Sequence, residues 1–108
     1  ADLIKIAGKR ITLGDLNHQL LTIEGVVDGA FFLPDGEQGR EPRLAAFVVA
    51  PGRRREDILD SLRSRIDPVF LPRPLRLVEG LPRNATGKLP RGNFRWLLQE
   101  TGEKEAME

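Results

Sequence analysis

The sequence predicts an α+β domain: a small antiparallel sheet with an N-terminal β-hairpin, covered by about three helices. Three observations lead there. A chain of 108 residues with 40% apolar side chains suits one globular domain with a modest core. Its apolar residues switch along the chain between strand-like runs and helical spacing. Glycine and proline punctuate the switches, at Gly8, Gly25, Pro34, Pro51-Gly52, Pro68 and Pro90.

Taken in order, Leu3 to Ile11 ("LIKIAGKRI") reads as two short strands around a glycine turn, a hairpin that presents Lys5, Lys9 and Arg10. Thr12 followed three residues later by Asp15 resembles a capping box. Leu13, Leu16, Leu20 and Ile23 then recur at helical spacing until Gly25. Val26 to Leu33 is rich in β-branched and aromatic residues and predicts a strand; the charged stretch from Pro34 to Arg43 predicts a solvated loop. Leu44 to Ala50 is an almost unbroken apolar run, as a central strand requires, and pairing with the preceding strand is expected. Arg55 to Ile66 places Ile58, Leu59, Leu62 and Ile66 on one helical face, with acids near its start and arginines near its end. Pro68 ends it. Leu75 to Glu79 predicts a third strand, and Pro90 opens a last helix carrying Phe94, Leu97 and Leu98. Residues 1–11 are then the hairpin, 12–99 the α+β body, and 100–108, with four Glu and one Lys, a frayed tail.

Composition excludes several classes of function. With no cysteine, the chain has neither disulfides nor thiolate metal sites, and His18 alone cannot build a metal cluster; the expected metal-ligand set is none. No apolar run has the length of a membrane span and the start lacks a secretory layout, which together with the absent cysteines predicts a cytoplasmic protein. The net charge is only +1, but Arg73 to Arg95 carries six basic side chains against the single acid Glu79. The basic character is local, so general affinity for nucleic acid or membranes is not implied.

Within that segment lies "LPRNATGKLPR", Leu81 to Arg91. A phosphate-cradling Walker loop needs glycine five residues before Gly87 and Ser or Thr after Lys88; Pro82 and Leu89 stand there instead. What remains is a lysine beside a flexible Gly87, flanked by arginines. Such an ammonium suits stabilisation of charge developing on a phosphoryl or carboxylate oxygen supplied by another body. One contact at roughly 4 Å is of order 4 kcal/mol at an effective dielectric of about 20, before desolvation. The pattern Pro82-x4-Gly87-Lys88-x2-Arg91 would arise by chance in a chain of this length on the order of once in a thousand.

Together "IKIAGKRI" and "LPRNATGKLPR" resemble two motifs of the C-terminal domain of the adenylate-forming superfamily, which includes acyl- and aryl-CoA synthetases, peptide-synthetase adenylation domains and beetle luciferases. "EPRLAAFVVA" and "RREDILDSLRSRIDPVFLPRPLRLVEGLP" resemble the strand, helix and strand between them, so the resemblance spans nearly the whole chain in order. It implies a lid that swings over a large N-terminal domain of the same chain. That domain would hold most of the ATP site, with Mg2+ entering through ATP, and the pocket for the carboxylic acid. In one pose Lys88 would serve adenylate formation, with Gly87 giving its loop freedom. In the other, Lys5 and the hairpin would turn to the adenylate, Gly8 would let the pantetheine arm pass, and Arg10 would lie near a CoA phosphate. The acceptor implied is CoA or a phosphopantetheine carrier protein. Arg91 would anchor the lysine loop.

Two departures accompany the resemblance. The family's hinge position falls at Ala1, so no hinge residue is assigned, and "DLN" (Asp15 to Asn17) replaces the "EIE" of many such hairpins, which argues against a typical peptide-synthetase domain. The wording also resembles ligases of bacterial aryl-polyene pigment pathways. Read without the resemblance, Arg53 to Arg55 is a solvated helix start, His18 a helix-surface residue and Trp96 a packing or rim residue. The competing function is a stand-alone module that binds nucleic acid or another polyanion through Arg73 to Arg95, or a regulatory domain that kept the fold. The nucleic-acid version lacks interleaved aromatic platforms, because only Phe94 and Trp96 lie near.

Overall fold

The computed structural model describes residues 3–33 and 43–87. Lys88, Arg91, Trp96, the last helix and the acidic tail, with nearly all of the loop expected between Pro34 and Arg43, lie outside the described residues.

Strands β1 (Leu3–Ile6) and β2 (Lys9–Thr12) form the antiparallel hairpin. Alternation turns Ile4 and Ile6 into the core and leaves Leu3 and Lys5 outside. The two turn residues both lie in the left-handed region, Ala7 at φ 52° and Gly8 at φ 80°. Positive φ at both positions gives the twist that closes a two-residue hairpin, and glycine adopts it without steric cost.

Helix α1 (Leu13–Leu21) starts where Thr12 caps it, its hydroxyl accepting from the Asp15 amide at 3.1 Å. Leu16 and Leu20 are fully buried, and Ile23 just beyond the helix joins them. Helix α2 (Arg55–Arg63) buries Ile58 and Leu62 in the same core. It ends at Arg63 rather than Ile66, because Ser64 and Arg65 form a turn; Ile66 is nevertheless buried. A short 3₁₀ turn, Pro68–Phe70, follows, capped by the Asp67 carboxylate accepting from the Val69 amide at 3.0 Å.

Three further strands, β3 (Asp28–Phe32), β4 (Ala45–Val49) and β5 (Leu75–Leu77), make a sheet in the order β3-β4-β5. Central β4 is buried at every position, as its unbroken apolar run requires. Ala46 and Val48 join the helices' core, while Ala45 and Phe47 face the other way with Phe32, Val78 and Leu81. There the Phe32 and Phe47 rings stack with centroids 5.3 Å apart.

The α+β class and the hairpin agree with the sequence, but the larger sheet is mixed rather than antiparallel. β3 and β4 are antiparallel, whereas β4 and β5 are parallel. The physical reason is the crossover: α2 lies between β4 and β5, and a strand that returns through a helix enters the sheet in the same direction. This pairing positions the site. Asp28 stands opposite Val49 and Leu77 beside Val48, so the chain leaves β5 at the end of the sheet where β3 begins.

Candidate functional site

The two segments singled out in the sequence are both glycine turns, and each is tied to the body by a basic side chain. In the hairpin, Lys5 and Arg10 stand directly opposite one another, and both are exposed. Like charges in that arrangement repel, so an approaching anion relieves the pair. Lys9 instead pairs with the Asp67 carboxylate at the head of the 3₁₀ turn, which fastens the hairpin to the segment after α2. That ammonium and the Val69 amide hold the Asp67 carboxyl below its ordinary range. A Cβ built on Gly8 would meet nothing within 4 Å, so the backbone at the turn is open on that side.

The second turn runs from Arg83 to Gly87. Asn84 shapes it: its side-chain oxygen accepts from the Thr86 amide at 2.9 Å and the Thr86 hydroxyl at 2.7 Å, while its carbonyl accepts from the Gly87 amide at 2.9 Å. Gly87 lies at φ 81° with open space around its α-carbon, so the backbone angle, not packing, calls for glycine. Arg83 then locks the turn to the sheet. Its Nε donates to Asp28 Oδ2 at 2.8 Å and its Nη2 to Oδ1 at 2.7 Å, a two-pronged pair, and its Nη1 donates to the Gly87 carbonyl at 2.9 Å. The Arg83 hydrogen bonds outweigh desolvation and hold the Asp28 carboxyl below its ordinary value, and the carboxylate raises Arg83 in return.

Of the predicted site residues, Lys5, Gly8 and Arg10 are thus brought together on the hairpin and Gly87 sits in the second turn, while Lys88 is the next residue beyond those described. Asp28, Arg83, Asn84 and Asn17 escaped sequence reasoning. Asn17 lies in the "DLN" departure, and its side-chain oxygen accepts from the Phe31 amide at 2.7 Å, bonding α1 to edge strand β3. For Arg83 and Asp28 the faint signal was an arginine in the lysine motif and an acid beside a run of buried strand residues.

Nor is the basic segment one uniform patch among the described residues. Arg83 is neutralised by Asp28, Arg76 is half-buried on β5, and Arg73 borders a groove along α2 with Arg43, Arg55 and Arg63. Arg53 likewise departs from the solvated helix start expected of it. Its stem covers Gly25, where a Cβ would come within 2.8 Å of the Arg53 Cγ, and Gly25 itself has φ 90°. Arg54, Arg55 and His18 are exposed as expected. No helix among the described residues is long and apolar enough to cross a membrane.

Comparison with known proteins bears on the fold. Residues 17–88 match the family model described as the AMP-binding enzyme C-terminal domain. The 2-succinylbenzoate–CoA ligase of Bacillus cereus strain Q1 is 33% identical over 102 residues, covering 93% of this chain and 21% of the ligase. Cyclosporin synthetase of Tolypocladium inflatum is 30% identical over 113 residues, covering 90% of this chain and 1% of the synthetase. Among solved structures, a Mycobacterium tuberculosis fatty acyl CoA synthetase superposes with a TM-score of 0.75 at 24% identity, over 93% of this chain and 20% of that one. The chain spans 16–21% of the length of these CoA-ligase relatives and only 1–3% of the peptide synthetases. The match covers the fold from within α1 to the lysine after Gly87, and on that ground the chain belongs to the AMP-binding enzyme C-terminal domain family.

Proposed function

We infer that this chain is the mobile lid of an ATP-dependent, AMP-forming ligase that joins a fatty or aryl carboxylic acid to CoA or a carrier-protein thiol. Its partner is an ATP-binding N-terminal domain on the same chain, and Mg2+ arrives with the nucleotide. The observation that carries this is the pair of separately anchored glycine turns, one held through Lys9 and Asp67, the other through Arg83 and Asp28. Separate anchors suit two tasks performed at different moments.

In this reading Lys88, next to Gly87, stabilises the charge that develops as carboxylate attacks the nucleotide's phosphorus and pyrophosphate leaves. Lys5 and Arg10 offer an exposed cationic pair to the adenylate and to CoA phosphate in the second pose. Open space over Gly8 lets the thiol-bearing arm run along the backbone. Relatives named as CoA ligases support the thiol acceptor; 2-succinylbenzoate, named for one of them, is an aryl acid.

Half-reactions of the intact enzyme test the assignment. Lys88→Ala should slow adenylate formation by about 10²- to 10³-fold, as loss of a transition-state donor does, and leave thioester formation from supplied acyl-adenylate intact. Replacing Gly8 by Trp should do the reverse. Equal damage to both steps by either change would sink the division of labour. The native gene product, detected with an antibody to this domain, should be several times larger than these 108 residues.

A further inference from the structure

Arg83 donates to the carbonyl of Gly87, and that carbonyl belongs to the peptide unit whose nitrogen is that of Lys88. The other two prongs of the same guanidinium hold both oxygens of Asp28, on the first residue of β3. A single planar group therefore connects the sheet to the peptide immediately before the lysine. Arginine suits this task because its fork can satisfy a carboxylate and a carbonyl together, whereas a lysine ammonium is a point charge that holds neither in a fixed plane. Nothing else among the described contacts reaches that carbonyl. The Asn84 bonds to Thr86 and Gly87 shape the turn internally.

We propose that Arg83, braced by Asp28, is a positioning residue that sets the backbone from which Lys88 projects, and so governs adenylate formation without touching a substrate. The inference rests on the role given to Lys88 above. Asp28 is the brace: a carboxylate on the edge strand gives the guanidinium a fixed orientation, and its third prong then fixes the carbonyl. Loss of either partner frees the peptide unit and leaves the core in place, since neither side chain belongs to the buried apolar clusters.

The test uses the intact ligase, with ATP–pyrophosphate exchange measured on the acid that supports it best among a set of benzoates and fatty acids. Thioester formation from the matching acyl-adenylate is measured beside it. Arg83→Ala should lower kcat for exchange by about 10- to 100-fold, as loss of a charge-assisted contact at a positioned group does, with KM for ATP and thioester formation within about twofold. Asp28→Ala should act in the same direction more weakly, and Arg83→Lys should fall between. In a Lys88→Ala background, Arg83→Ala should cause no further loss. Equal loss in that background, equal slowing of both half-reactions, or unchanged exchange would each overturn the inference.

A different result would mark failure of the parent reading. If Lys88→Ala itself leaves exchange unchanged, Lys88 has no adenylation role and the inference goes with it; selective loss in Lys88→Ala but not in Arg83→Ala removes the positioning role alone. Where Arg83→Ala does not yield folded protein, Arg83→Lys and Asp28→Asn supply the same cycle.

Discussion

The hairpin and the lysine loop are both glycine turns, yet they are held in opposite ways. The hairpin's backbone is paired residue by residue, and Ile4 and Ile6 sink it into the core. Its one long-range polar tie among the described residues, Lys9 to Asp67, is an exposed ion pair of a kind that contributes little. Among the described residues the loop has no such ladder to lean on, and Arg83 and Asn84 hold its shape. A turn built from backbone pairing is stiff whatever side chains it displays; one built from side chains is as good as those few groups.

The largest expected effect separates the two turns by chemistry: the opposed losses for Lys88→Ala and Gly8→Trp in the two half-reactions, each about 10²-fold or more. Next comes a contrast in stability. A β-branched residue in the left-handed region costs roughly 1–2 kcal/mol. Gly8→Val should show that full cost in chemical denaturation, because the hairpin belongs to the cooperative core. Gly87→Val should cost less than half as much, since the loop can rearrange locally. Equal costs would mean that the loop unfolds with the core after all.

Removing the hydroxyl at Thr12, where the hairpin hands over to α1, should cost about 1 kcal/mol by the same measurement. Asn17→Ala should cost a comparable amount, about 1 kcal/mol, by leaving the Phe31 amide without its acceptor. The smallest effect is that of acid. Both Asp28 and Asp67 are depressed in the folded state, so each contributes stability above its ordinary value near 3.8 that is lost as pH falls through its lower folded value. Stability should therefore decline below about pH 4, and Asp28→Asn should flatten that decline more than Asp67→Asn at high salt, where the exposed lysine pair is screened. The reverse ranking would make the hairpin's tie the stronger one.

Local pattern made most of the fold legible. Helical spacing announced Leu16, Leu20, Ile58 and Leu62, and the apolar run from Leu44 marked the central strand. The direction of β5 was missed although its sign was present: strand, helix, strand is a crossover, and a crossover gives parallel pairing. For the site, the sequence pointed to the two turns but not to their fastenings. It offered Arg91 as the loop's anchor, which lies outside the described residues, whereas the fastening observed is Arg83 to Asp28. Those residues are 55 positions apart, and no local periodicity can pair two charges over that distance. Only the sheet order brings them to one end.

That sheet order has a practical consequence. Among the described residues Leu75 is the last of the fully buried side chains, so the core they form ends before the chain reaches the loop. Screens for solubility, expression or melting temperature would therefore pass variants whose loop has come adrift, and sequence changes harmful to the enzyme could circulate in a library as apparently healthy proteins. Sorting such a library calls for an assay of chemistry, because thermal measurements would be nearly silent on the residues that matter most.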